Sequence, residues 1–168
     1  MPSPRPSLIR LTIAVVLVLL FVANSGILKA QTLEVTKEQL ERNKKNVIAF
    51  YDMATNQSNP RGAIEKYAGA TYIQHNPEVG DGKEAFIAYF EKAAKDYPTK
   101  RFEFKRVLAE GNLVAVHTYS IFPEYWNWTR REWAGVDIFR VDADGKVVEH
   151  WDAVRPIPSS SENKNGMF

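Results

Sequence analysis

Asp137, His150 and Asp152 are residues whose types and spacing could do chemistry. Asp137 lies between Val136 and Ile138, and His150 and Asp152 flank Trp151. The two runs that hold them are Gly135-Val136-Asp137-Ile138-Phe139-Arg140-Val141 and Lys146-Val147-Val148-Glu149-His150-Trp151-Asp152. Both are rich in β-branched and aromatic residues and they flank Asp142-Ala143-Asp144-Gly145, so together they read as a β-hairpin. An apolar strand has no packing use for an acid. If Val141 pairs with Lys146, Asp137 stands opposite His150, Gly135 stands opposite Asp152, and all four face one side. A one-residue bulge at Gly145 would put Trp151 opposite Asp137 instead. In the first register a carboxyl and an imidazole lie one hydrogen bond apart, which suits general acid–base work. Asp152 holds the tautomer of His150 only if the strand bends, because residues two apart on a strand are separated by about 6–7 Å.

Such a pair could drive an aldol step. One group removes the proton α to a carbonyl, a donor such as His75, His117 or Tyr72 steadies the enolate oxygen, and the acid protonates the new alkoxide. Asp137 is the expected acid/base, with His150 orienting it or relaying its proton. Asn76, Trp151 and Asp152 are expected in the binding surface. Each residue also has a purely structural reading. Asp137 could pair with Arg140, Arg155 or a backbone amide, and His150 could be a satisfied core histidine. His117 could face solvent or a subunit contact, Asn76 could simply make the turn before Pro77, and Trp151 could be core. His75, His117, His150 and Asp152 match no short metal-ligand spacing, so no metal is expected.

The elements that must position these groups follow from pattern. Thr36-Lys37-Glu38-Gln39 fits a capping box, and the helix it starts carries Leu40, Val47, Ile48, Tyr51 and Ala54 on one face. Asn59-Pro60 starts a short second helix that buries Ile64 and Tyr67. Residues 70–74 read as a strand ending at His75-Asn76-Pro77. Asp81 is expected to cap a third helix, with Phe86, Phe90, Ala93, Ala94 and Tyr97 buried and Pro98 as its stop. Strands are expected at 101–109, 113–122, 129–141 and 146–154. Pro123-Glu124-Tyr125-Trp126-Asn127-Trp128 is an aromatic loop, costly to expose, that either closes over a ligand or packs in a subunit contact. Helices first and antiparallel strands afterwards argue for α+β, one sheet curled around the helices with an apolar cavity between the layers.

The ends of the chain read differently. Arg5 and Arg10 precede a nearly uninterrupted apolar run over residues 11–23. Asn24, Ser25 and Gly26 break it, and Leu28-Lys29-Ala30 offers a small residue for cleavage. This is the layout of a secretory signal peptide over residues 1–30, with a retained anchor as the alternative because Leu28 is large for its position. With no Cys the sequence carries no redox information. Residues 1–30 hold three of the 22 basic side chains (Arg5, Arg10, Lys29) and none of the 20 acidic ones, which leaves 19 against 20. The remainder therefore has no nucleic-acid footprint. Residues 31–156 suit one domain, and the Ser/Asn/Lys-rich residues 157–168 read as a disordered tail.

The order helix-helix-strand-helix followed by long strands, together with His75-Asn76-Pro77 and Asp137-Ile138-Phe139-Arg140 … Gly145-Lys146-Val147 … Glu149-His150-Trp151-Asp152, resembles the SnoaL-like polyketide cyclase branch of the nuclear transport factor 2-like superfamily. The resemblance runs from about Gln39 to Val154. It implies an α+β fold, a cone-shaped barrel with a curled antiparallel sheet wrapped around three N-terminal helices, commonly dimeric and with a pocket inside the cone. Members include cyclases that work without metal or organic cofactor, ketosteroid isomerases, epoxide hydrolases and non-catalytic binding modules. Asp137 matches the strand position of the cyclases' acid/base Asp and of the isomerases' oxyanion-binding Asp. Asn76 (or His75) falls where the isomerases carry a general-base Asp, and the lack of a carboxylate there argues against that isomerase chemistry. The resemblance implies a homodimer with a small-molecule ligand and no cofactor, while the signal layout of residues 1–30 implies a secreted or periplasmic protein with no stable membrane association after signal cleavage. The reaction is either an aldol-type cyclase, lyase or isomerase step on a small hydrophobic carbonyl compound, or none, in a binding or dimerisation module.

Overall fold

The computed structural model describes residues 35–123 and 131–168; the expected signal segment and most of the aromatic loop lie outside them. Three helices and five strands are seen among these residues: α1 (Lys37–Thr55), α2 (Pro60–Tyr67), β1 (Ala68–Gln74), α3 (Lys83–Asp96), β2 (Arg101–Glu110), β3 (Leu113–Ile121), β4 (Glu132–Val141) and β5 (Val147–Pro156).

Local chemistry explains the helix ends. The Thr36 hydroxyl accepts from the Gln39 N–H while the Gln39 amide oxygen accepts from the Thr36 N–H, so two orphan donors are satisfied at once. The Asn59 side chain caps α2 at Gly62 N–H, with Pro60 at the first turn. The expectation for α3 is corrected. Gly82 occupies the cap position without a side-chain bond, and the Asp81 carboxylate instead accepts from the Gln74 N–H at 2.9 Å. Asp81 thus fastens the end of β1 rather than the start of a helix.

The sheet order is β1-β5-β4-β3-β2. Four strands form an antiparallel meander, but β1 lies parallel to β5, so the sheet is mixed and open rather than wholly antiparallel and closed. Parallel neighbours need a long crossover; here it comprises α3 and the three strands before β5. Helix α1 packs on β2, β3 and β5 and α3 packs on β1, so one sheet face is inner and the other outer. The core between them is Val47, Phe50 and Ala54 of α1, Ile64 of α2, Phe86 and Ile87 of α3, and Val114, Val116, Phe139, Val141 and Val147 of the sheet. Phe50, which shares the helical spacing of Val47 and Ala54 but is not among the expected face residues, is its hub, with ring centroids 5.2 Å from Phe86, 6.1 Å from Phe139 and 6.2 Å from Tyr72. Residues 157–168 carry no helix or strand, and Phe168 lies against His117 with ring centroids 5.1 Å apart.

Candidate functional site

Strand β4 alternates, and Asp137 takes its turn on the inner face between Gly135 and Phe139. It is 1% exposed. An ionised carboxylate at that depth is costly unless its lone pairs are filled. One oxygen, Oδ1, accepts from the Tyr51 hydroxyl at 2.8 Å and lies 3.2 Å from His150 Nε2. The other, Oδ2, accepts from the Thr118 hydroxyl at 2.8 Å. Tyr51 reaches down from the buried face of α1, and Thr118 stands on β3 opposite Gly135. A methyl group at Gly135 would sit 2.7 Å from Thr118 Oγ1, so the glycine keeps room for that contact. Burial, and then the charge of Asp137, pushes the Tyr51 hydroxyl well above its ordinary value of 10.0, so Tyr51 keeps its proton and donates.

The hairpin register differs from both expected ones. Asp137 pairs with Asp152, Ile138 with Trp151 and Phe139 with His150. An irregularity after Arg140 leaves one extra residue, Val148, on β5. The turn is held by Asp142, whose N–H donates to Lys146 O and whose carboxylate accepts from the N–H groups of Asp144 and Lys146. The pairing is two residues away from the first expectation, and a shift of two keeps every side chain on its face. His150 therefore still reaches Asp137, diagonally. Trp151, which the alternative register placed opposite Asp137, lies on the outer face.

Asp152 becomes the direct cross-strand neighbour of Asp137. It is half-buried, and its carboxylate accepts from Asn76 Nδ2 at 2.6 Å. Asp137, His150 and Asp152 each offer a ligand atom within 4.8 Å of the others, a donor set able to hold a divalent cation. Asp137, however, already accepts from two hydroxyl donors, Tyr51 and Thr118. On the far side of the imidazole, His150 Nδ1 lies 3.0 Å from Gln74 Oε1, and Gln74 Nε2 donates to the Tyr72 hydroxyl at 3.3 Å. Tyr72 is buried, and desolvation holds its hydroxyl far above the usual tyrosine range.

The structure thus brings Asp137, His150, Asp152, Asn76 and Tyr72 together on the inner side. It places His75, His117 and Trp151 elsewhere. The His75 ring stacks on Trp151 with centroids 4.8 Å apart, and its Nε2 lies 2.8 Å from Glu149. The His75 contact, and then Arg140, holds the Glu149 carboxyl below its usual range. His117 Nδ1 lies 3.1 Å from Arg106. Sequence reasoning missed Thr118, Gln74 and the polar end of Tyr51 as site groups. Each had a signal in parity or periodicity, since Thr118 continues the inner row of Val114 and Val116, Gln74 follows Tyr72 by two, and Tyr51 is on the buried helix face.

The expected hollow between the layers is occupied, among the described residues, by the rings of Phe50, Tyr72, Phe86 and Phe139. A surface groove of about 590 Å3 runs along α1 past Ile48, Met53, Tyr67 and Val107, and one of about 240 Å3 lies near the hairpin turn beside Arg42 and Arg140. Neither is lined by Asp137, His150 or Asp152.

Three helices on one face of a curled five-stranded sheet, with a carboxylate–imidazole pair on the inner side of its closing hairpin, define an α+β cone of the nuclear transport factor 2-like type. A family model described as a SnoaL-like domain matches residues 47–150, and the chain belongs to that family. Among solved structures it is similar to a candidate polyketide cyclase from Bacillus cereus (TM-score 0.60, 16% identity, covering 71% of this chain and 78% of that one). It is also similar to AclR, a candidate hydroxylase from Streptomyces galilaeus (TM-score 0.57, 21% identity, 71% and 82% covered). A third is a nuclear transport factor 2-like protein of unknown function from Cytophaga hutchinsonii (TM-score 0.53, 14% identity, 68% and 90% covered). At these identities the likeness is one of fold. No curated protein matches the sequence.

Proposed function

We propose that the protein is an exported, cofactor-independent acid/base enzyme that acts on a small hydrophobic carbonyl compound by an aldol-type cyclase, lyase or isomerase step. The observation that carries this reading is the half-buried carboxylate of Asp152 within 4.8 Å of the buried Asp137–His150 pair. Asp137 is closed in by its partners, so Asp152 is the carboxylate that meets substrate, at the rim beside Asn76 and the exposed Val154. Asp152 takes the proton α to the carbonyl. The enolate oxygen accepts a hydrogen bond from Asn76, the enolate carbon bonds to the second carbonyl, and the proton held by Asp152 returns to the new alkoxide. Asp137 and His150 sit behind Asp152 and exchange a proton with it. Export through residues 1–30 and assembly as a homodimer through the outer sheet face belong to the same proposal.

The test is hydrogen–deuterium exchange at the α-carbon of a panel of small ketones and 1,3-diketones in D2O, followed by proton NMR. Exchange should be accelerated by the wild-type protein, and Asp152→Asn should lose roughly 100-fold or more of it while unfolding at the wild-type temperature. No exchange by the folded wild-type protein across the panel overturns the catalytic reading. The second reading, a ligand-binding or dimerisation module without turnover, is favoured by the three intramolecular partners of Asp137 and by the two grooves that bypass it. In that case a ligand binds wild type and Asp152→Asn, and neither exchanges its protons.

A further inference from the structure

The amide of Gln74 is oriented by the backbone. Its Oε1 accepts from the His75 N–H at 3.0 Å and the Asn76 N–H at 2.9 Å. Turned over, the amide would aim its NH2 at two N–H donors, which is unfavourable. The atom that faces His150 Nδ1 at 3.0 Å is therefore an oxygen, an acceptor with nothing to donate. A hydrogen bond there requires the proton to sit on Nδ1. Nε2 then has a lone pair in the neutral ring and faces Asp137 Oδ1 at 3.2 Å. That contact also needs a proton, carried either by an imidazolium against a carboxylate or by a carboxylic acid against a neutral imidazole.

From this geometry we infer that Gln74 is a positioning residue that fixes the His150 proton on Nδ1 and so obliges Asp137 and His150 to hold one further, transferable proton between them. The charged and titratable groups facing the pair are Tyr51 from α1, Tyr72 from β1 and Asp152 from β5. Tyr51 and Thr118 supply protons to the Asp137 oxygens, which fits the carboxylate as the resting form. Without Gln74 the neutral ring is free to move its proton to Nε2 and donate to the carboxylate. The shared line is then filled by the neutral ring's own proton, and the pair holds no further proton to relay. The role of this arrangement in turnover rests on the proposed acid/base function. The placement of the proton does not.

The experiment separates the two. Protein labelled with 15N at histidine is read by long-range proton–nitrogen correlation between pH 6 and 9, and His75→Asn and His117→Asn backgrounds assign the His150 ring. Wild type should show His150 protonated at Nδ1 throughout, as imidazolium or as the Nδ1–H tautomer. Gln74→Met, close in shape but without the acceptor, should move the neutral ring to the Nε2–H tautomer, and Gln74→Glu, which restores an oxygen, should return it to Nδ1–H. A wild-type spectrum with the neutral Nε2–H tautomer overturns the inference by itself, whether or not Gln74→Met folds. So does a folded Gln74→Met with an unchanged spectrum. If the tautomers behave as stated but no α-proton exchange is found in any substrate, the positioning stands and the catalytic reading falls.

Discussion

At the scale of single residues, Asp137 is stabilised by what surrounds it. Hydrogen bonds to a charged group contribute about 1.5–3 kcal/mol each, and Asp137 accepts from Tyr51 and Thr118 besides meeting His150. Tyr51→Phe keeps the ring contacts with Phe104 and Phe139 and removes one donor, so it should lower the unfolding free energy by about 1.5–3 kcal/mol in urea titrations at neutral pH. It should also change the alkaline limb. A hydroxyl whose folded-state value lies above its unfolded 10.0 adds stability that is complete below pH 10 and is lost as pH rises towards the folded value. Tyr51 and Tyr72 both have this sign. Wild type should therefore lose stability steeply above about pH 10, and Tyr51→Phe should be shallower there by one proton, about 1.4 kcal/mol per pH unit. An unchanged alkaline slope would mean that Tyr51 is not the buried donor to Asp137. Asp137 itself was legible in the sequence because a charge in an apolar strand stands out. Its hydroxyl partners were not, since Tyr and Thr are ordinary core and strand residues until a neighbour 86 or 19 positions away is known to face them.

The elements were legible wherever a local rule governs them, as in the capping box at Thr36, Pro60 at the start of α2, and the alternation of β4. What stayed hidden was set by contacts distant in sequence. Ala70 to Gln74 reads as a strand, but nothing local says that it runs parallel to β5, and the expected cap Asp81 is drawn instead to the Gln74 N–H. The hairpin register depended on a bulge at Val148 and on a turn anchored by one side chain, Asp142, whereas the face that each residue occupies survived because the error was even. The turn is also docked on α1. Arg42 Nη2 donates to Ala143 O at 2.8 Å and Asn46 Nδ2 donates to Gly145 O at 3.1 Å. Gly145 has φ +77°, and an added methyl would lie 2.8 Å from Asn43 Oδ1 and 2.9 Å from Arg42 Nε. Gly145→Ala should combine left-handed backbone strain of about 1–2 kcal/mol with displacement of that docking. Gly111→Ala, at φ +57° with open space around it, should show the backbone cost alone. Denaturation midpoints should therefore fall further for Gly145→Ala, and equal losses would mean that the turn is not braced by the helix.

At the scale of the whole molecule the two sheet faces have divided the candidate chemistry. The inner face holds the Asp137 pair, Asp152 and the aromatic core. The outer face holds the His75–Trp151 stack and leaves Val136 and Ile138 at 45% and 37% exposure on a central strand. Adjacent β-branched side chains in water on the middle of a sheet are the kind of surface that a partner covers. Polar pairs border them, with the Arg140–Glu149 ion pair on one side and the Tyr119 hydroxyl donating to Glu132 on another. A second copy of the chain would bring the same apolar stripe and the same mixed rim, as a two-fold contact requires. The proposed homodimer therefore has a specific contact to lose. Val136→Lys with Ile138→Lys should leave the inner core untouched, keep the unfolding midpoint of the isolated subunit, and convert the dimer to a species of half its mass in light scattering. A wild-type protein that is monomeric at high micromolar concentration rules out this assembly. If the doubly substituted protein stays dimeric, the subunits meet elsewhere and the outer face is left to a different partner.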